Sequence, residues 1–172
     1  MLTIGVAIAL PEPWATDLQE YRVDLGDDTA YSIPTHITLI PPTEVPKVEL
    51  EEVVEHLAQV AAGQPAFRIH LRGTGTFRPV SPVVFVAVAD GIAGCEQLAQ
   101  QVRTGPLTME LGFPFHPHVT IAHHLDDAAL DRAYDDLATF DCAFTATEFH
   151  LYLHNENEGW VPSRTFELAA PA

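Results

Sequence analysis

Apolar and polar residues alternate along this chain in two distinct rhythms. Leu2 to Leu10 is an unbroken apolar run stopped by Pro11 and Pro13, which predicts a buried strand. Asp17 to Asp24 predicts a short helix. The polar stretch Gly26 to Pro34 leads into Thr35 to Ile40, a short β-rich run ended by Pro41 and Pro42. From Val48 to Ala62 the spacing turns helical: Leu50, Val53, Val54, Leu57, Val60 and Ala61 share one face, with acids opposite and Gly63 as the stop. In Ala66 to Thr76, Phe67, Ile69 and Leu71 alternate with Arg68, His70 and Arg72, the mark of a half-buried strand.

The second half repeats this order. Val83 to Ala89 predicts a buried strand, Ile92 to Val102 a helix and His116 to Ala122 a short strand. Asp126 to Leu137 predicts a helix with acids at its positive end. Ala143 to His154 reads as one long strand, Trp160 falls in a loop after Gly159, and Thr165 to Ala169 supplies a last strand. His118 follows His36 by 118 − 36 = 82 positions, Ala143 follows Ala66 by 143 − 66 = 77, and Val83 follows Thr3 by 80. These offsets predict an internal duplication. The expected fold is α+β, a single bilobal domain over 1–172 with pseudo-repeats of about 1–80 and 81–172.

Two tetrapeptides stand at matching places in this frame: His36-Ile37-Thr38-Leu39 and His118-Val119-Thr120-Ile121. Side chains at i and i+2 of a strand point the same way. His36 and Thr38 therefore share a face over Ile37 and Leu39, as His118 and Thr120 do over Val119 and Ile121. A single His-x-Thr is a common structural pattern. Two copies related by a twofold would aim two imidazoles and two hydroxyls at one point. That set suits a phosphodiester: a neutral imidazole takes a proton from water, an imidazolium protonates the leaving oxygen, and the hydroxyls donate to the non-bridging oxygens.

Composition narrows the ligand. The chain has 172 residues, 47% of them hydrophobic, and a net charge of −16 from 24 acidic and 8 basic side chains. A long nucleic acid held by bulk charge is excluded, because such binding needs a basic track. A nucleotide or short RNA end remains. Cys95 and Cys142 are far apart and in no metal-spaced pattern, as expected of two buried thiols in a reducing cytoplasm. The opening apolar run is short and lacks a basic region, and no run reaches membrane-spanning length. A cytoplasmic monomer without membrane contact is expected.

On these two motifs, and over nearly the whole chain from Leu2 to Phe166, the sequence resembles the 2H phosphoesterase superfamily, which includes 2′-5′ RNA ligase-like proteins and cyclic phosphodiesterases. The resemblance implies a bilobal α+β fold with antiparallel sheets lining a central cleft and helices outside, and metal-independent, cofactor-free chemistry on 2′,3′-cyclic phosphates or 2′-5′ linkages. It implies His36 and His118 as catalytic residues and Thr38 and Thr120 as phosphate ligands. RNA ligase-like members often carry His-x-Thr-x-Ala-Arg, whereas here Ala122 is followed by His123. That departure, with the acidic charge, favours a nucleotide or short end over long RNA.

Several further residues are candidates for substrate contact. His116 has the parity of His118 and Thr120. His123 stands where the family's arginine would be, and Arg78 and Arg164 could replace that cation. Phe77, Tyr152 and Trp160 could stack on a base. The group His116, His118, His123, His124 and Asp126 contains metal-ligand types but lacks the spacing of a recognised metal motif and has no counterpart in the first half. Arg68, His70 and Arg72 more simply balance surface acids. The competing function is a binding module of the same fold that captures nucleotides or RNA ends without turnover; ligation, as the reverse reaction, would use the same residues.

Overall fold

A computed structural model describes residues 1–171. Eight strands and four α-helices follow the order β1 (Leu2–Ala9), α1 (Trp14–Leu25), β2 (His36–Val45), α2 (Leu50–Ala62), β3 (Phe67–Thr76), β4 (Val83–Asp90), α3 (Ile92–Val102), β5 (His118–His123), α4 (Asp127–Asp136), β6 (Asp141–Ala146), β7 (Glu148–Asn155) and β8 (Gly159–Glu167) among the described residues. They form two four-stranded antiparallel sheets with strand orders β2-β1-β7-β8 and β5-β4-β3-β6. The α+β architecture expected from the pattern is present.

The helices bury the faces that their spacing predicts. In α2, Val53, Leu57 and Ala61 are buried, while Leu50, Val54 and Val60 pack at the margin of the same core. Asp126 caps α4 by accepting a hydrogen bond from the Ala129 backbone N–H at 2.8 Å. Helix α1 is longer than the predicted Asp17–Asp24. It begins at Trp14, directly after Pro13, and ends at Gly26, whose φ of +112° closes the helix in the left-handed region.

Three expectations are corrected. The run Ala143 to His154 is not one strand: it breaks at Thr147, β6 joining β3 in one sheet and β7 joining β1 in the other. Ala143 is consequently the cross-strand partner of His70, and the element that stands to its sheet as β3 does to the other begins at Glu148. The starts of β1 and β4 are then separated by 83 − 2 = 81 positions, those of β2 and β5 by 118 − 36 = 82, and those of β3 and β7 by 148 − 67 = 81. This spacing is tighter than the offset of 77 drawn from Ala143. Next, β2 runs through Pro41 and Pro42 to Val45; the prolines are exposed on an edge strand, where a missing N–H interrupts no inner ladder. Finally, Trp160 lies within β8, not in a loop, and β8 begins earlier than Thr165.

Each sheet draws on both halves of the chain. β3 leaves the first half to lie between β4 and β6, and β7 leaves the second half to lie between β1 and β8. Helix α1 packs on β5 and α3 on β2, so each motif strand is backed by a helix from the other half. A continuous apolar cluster joins the two, running from Ile4, Ile37 and Leu39 through Phe149 to Val86, Val119 and Ile121. The edge strands β2 and β5 meet along the seam between the sheets. Cys95 and Cys142 are buried free thiols; burial pushes the first up to about 12 and the second up to about 11, so neither is a nucleophile. No helix among the described residues is long and apolar enough to cross a membrane.

Candidate active site

Both motifs open the strands that line the seam. His36 begins β2 opposite Ala9, with Thr38 opposite Ala7; His118 begins β5 opposite Ala87, with Thr120 opposite Phe85. The predicted alternation holds in each. Ile37, Leu39, Val119 and Ile121 are at most 1% exposed, whereas His36, Thr38, His118 and Thr120 are half-buried.

The same local device sets both imidazoles. The Nδ1–H of His36 donates to the carbonyl oxygen of Pro34, and that of His118 donates to the carbonyl oxygen of His116 at 2.7 Å. In each case the acceptor is two residues back along the chain. A proton held on Nδ1 leaves Nε2 as the ring nitrogen with a free lone pair, and the clamp fixes the ring plane. Both rings titrate below the ordinary histidine value. Burial is the main cause for His36, opposed by the Pro34 carbonyl and assisted by the Arg22 charge. Burial again leads for His118, opposed by the His116 carbonyl and assisted by the charges of His116 and His36. One ring therefore disfavours protonation of the other, and a doubly charged pair is suppressed.

The walls beside the two rings differ. Beside His36 and Thr38 lies a pocket of about 90 Å³ bounded by Ile33, Pro34, Tyr152 and Trp160. The Trp160 indole lies over Gly5, where a Cβ would come within 3.1 Å of the ring; glycine here makes room for tryptophan. Tyr152 is buried, and burial, with Glu148, pushes its phenol up to about 12. Beside His118, Phe77 presents a perpendicular ring at 5.0 Å and Phe85 a tilted ring at 5.3 Å; the two phenyl rings are 4.6 Å apart. Phe85 reaches this place because Gly75 leaves the β3 backbone bare, where a Cβ would fall 2.6 Å from its ring. The exposed His116 ring completes the group, 5.9 Å from His118.

The other sequence candidates are distributed more widely. The Arg78 guanidinium is bound to Thr76 and to Asp131 at 2.8 Å, with Asp127 at 3.9 Å, so its charge is committed to α4. Arg164 is exposed on β8 opposite Leu151 and does not line the His36 pocket. His123 ends β5 and lines a second cavity together with Arg22. His70 pairs with Asp141 at 2.8 Å, in keeping with a surface charge-balancing role. Among the described residues no group of three or more His, Cys, Asp or Glu side chains converges as a metal cage. Sequence reasoning missed Phe85 and Arg22. Phe85 is hidden in an apolar strand, and Arg22 carries no signal, being one charged residue on a polar helix that packing happens to bury.

Comparisons with known proteins identify relatives and structures of the same fold. Residues 10–158 match the model of the 2′-5′ RNA ligase superfamily. A Bacillus cytotoxicus protein provisionally named a phosphoesterase is 35% identical over 138 residues, covering 79% of this chain and 80% of the relative. A similarly named Geobacillus kaustophilus protein is 31% identical over 164 residues, 94% of each chain. In fold, E. coli LigT crystallised with 3′-AMP superimposes with a TM-score of 0.71 over 98% of both chains at 22% identity. LigT has also been crystallised with NADP+ and with ATP. A protein of Thermus thermophilus, TT0787, superimposes with a TM-score of 0.64 at 23% identity. The family match over most of its length, together with relatives at 31% and 35% identity, establishes that this chain belongs to the 2′-5′ RNA ligase superfamily of 2H phosphoesterases.

Proposed function

We propose that this protein opens 2′,3′-cyclic phosphates, or related cyclic and 2′-5′ phosphodiesters, of nucleotides or short RNA ends by metal-independent acid–base catalysis. The observation that carries the reading is the pair of clamps from Nδ1 to a carbonyl, each of which leaves a free Nε2 on a strand at the seam. One neutral ring takes a proton from water as its oxygen attacks phosphorus. The other, protonated, gives its proton to the ribose oxygen as the P–O bond breaks, and the product is a phosphomonoester. Thr38 and Thr120 donate hydrogen bonds to the non-bridging oxygens as charge grows on them. Ligation would use the same two rings with a second nucleotide's hydroxyl in place of water. That hydroxyl gives its proton to the neutral ring as its oxygen attacks phosphorus, and the ribose oxygen of the cyclic phosphate leaves with the other ring's proton.

The base of a nucleotide would stack in the pocket beside His36, where Trp160 and Tyr152 provide an aromatic wall. A small substrate also suits the net charge of −16, and LigT, which shares the fold, has been crystallised with mononucleotides and a dinucleotide. The test is turnover of 2′,3′-cyclic mononucleotides and 2′-5′ dinucleotides followed by phosphorus NMR, with and without chelator. Activity lost in His36→Ala and in His118→Ala, and indifferent to chelator, is the expected result. Turnover within a few-fold of the parent in both variants would remove the two-histidine mechanism.

A further inference from the structure

A second cavity, of about 320 Å³, opens beside the cleft between the end of α1 and the end of β5. Ile33 lines both this cavity and the His36 pocket, so the two are neighbours. Arg22 enters from α1 and is 5% exposed. Its Nη2 donates to Asp27 Oδ2 at 2.8 Å, but its Nε–H is buried without a partner among the described residues. Asp27 does not accept this second bond. Its other oxygen already takes the Thr29 backbone N–H at 3.0 Å and the Thr29 hydroxyl at 2.6 Å. Arg22 lines the cavity, and of the guanidinium's five N–H donors one is used in that pair among the described residues; the others suit an oxygen acceptor, most strongly an anionic one.

Across the cavity stand His123 and His124, with rings stacked at 3.6 Å. His124 adopts φ +57°, a left-handed conformation uncommon for a non-glycine residue, immediately after the strand that carries His118. The two imidazoles can each supply an N–H toward the same space that Arg22 lines. One lining charge opposes an anion: Asp28, exposed at the rim and outside the Arg22–Asp27 pair.

We propose that this cavity is a second anion subsite, in which Arg22 and His123 hold a phosphate monoester group next to the two-histidine cleft. The natural source is a second phosphate on the same nucleotide whose scissile phosphate faces His36 and His118. The proposal rests on the cleft reading only in that last respect, and binding can be measured without turnover. Free phosphate has the same chemistry and is distinguished below.

The experiment follows histidine side-chain resonances of the full-length protein during titration with adenosine 3′-monophosphate, adenosine 3′,5′-bisphosphate and inorganic phosphate. The bisphosphate is expected to move the His123 and His124 signals and to bind about tenfold more tightly than the monophosphate, the gain of one charge-assisted hydrogen bond. Arg22→Lys keeps a cation for Asp27 but removes the guanidinium's further donors, and should erase that difference; Asp28→Asn, a surface change, should enlarge it. If inorganic phosphate moves both signals while the bisphosphate gains nothing, the subsite stands with free phosphate as its ligand. If no phosphate compound moves either signal, or if Asp28→Asn weakens binding, the proposal is overturned. These outcomes stay separate from a failure of the cleft reading, which appears as absent turnover with the signals still moving.

Discussion

The Nδ1 of His118 lies 2.7 Å from the carbonyl oxygen of His116, two residues back along its own chain, and His36 is held by Pro34 in the same way. A five-membered ring clamped at one nitrogen can present only the other. Asparagine reproduces the position of Nδ1 and lacks Nε2. His36→Asn and His118→Asn should therefore each fold with a thermal midpoint near the parent's and lose about 10²- to 10⁴-fold in kcat, the usual worth of a proton-transfer group. A variant that keeps parental kcat on 2′,3′-cyclic nucleotides would contradict the role of that ring.

Both imidazoles titrate below the ordinary value of about 6.5, chiefly through burial. Since the proposed mechanism needs one ring charged and one neutral in the free enzyme, the bell of kcat/KM against pH should centre on the acid side of 6.5. The expected measurement is a rate profile from pH 4.5 to 8.5 at constant ionic strength. A maximum above pH 7 would contradict the depressed values.

The same shifts act on stability with a definite sign. Below about pH 6.5 the unfolded chain protonates these histidines while the folded protein resists. The unfolded state then binds more protons, so stability is fully present above that pH and is lost as pH falls through the folded values. His123 adds to the trend, its titration lowered first by burial and then by the His124 charge. Thermal midpoints should drop between pH 7 and pH 5, and the drop should be smaller in a His36→Gln, His118→Gln double variant. Equal slopes in parent and variant would refute this assignment.

Arg22 and Asp27 form an ion pair whose side chains are 6% and 7% exposed. Removing one partner strands a buried charge, so Asp27→Ala should cost about 3–5 kcal/mol of unfolding free energy in urea titrations. Replacing both with apolar residues, as in Arg22→Met with Asp27→Leu, should recover much of that loss. A double variant no more stable than Asp27→Ala would argue against stranded charge as the cause.

Trp160 offers its ring to the pocket beside His36, and Gly5 makes its position possible. Trp160→Ala should raise KM for cyclic nucleotides by roughly five- to 150-fold, equivalent to about 1–3 kcal/mol of base stacking, with kcat far less affected. Gly5→Val should act in the same direction by displacing the indole. Unchanged KM in both would place the base elsewhere.

Much of this site was readable before any coordinates. Residue alternation requires that His36 and Thr38 oppose Ile37 and Leu39, because a strand has a period of two and the apolar side must be buried. The helical stripe of α2 follows from an equally local rule. Local rules report which face is buried, not what it is buried against. Ala143 to His154 read as one strand from the alternation in its second half, although the apolar positions change parity at Thr147, from Cys142, Phe144 and Ala146 to Phe149, Leu151 and Leu153, where the chain changes sheets. Trp160 read as loop because Gly159 and Pro162 punctuate an edge strand, where the ladder tolerates them.

The sequence by itself determined the two motifs, the faces they present and the acidic surface that restricts the ligand, since each depends on residues close together or on composition alone. Tertiary structure decided which walls flank each histidine, through Gly5 under Trp160 and Gly75 under Phe85. It also decided that Arg22, an ordinary helix cation by pattern, is buried at the cleft's edge with a donor to spare. Burial of a charge depends on contacts between distant segments, here α1 against β5, and no periodicity within either segment encodes it.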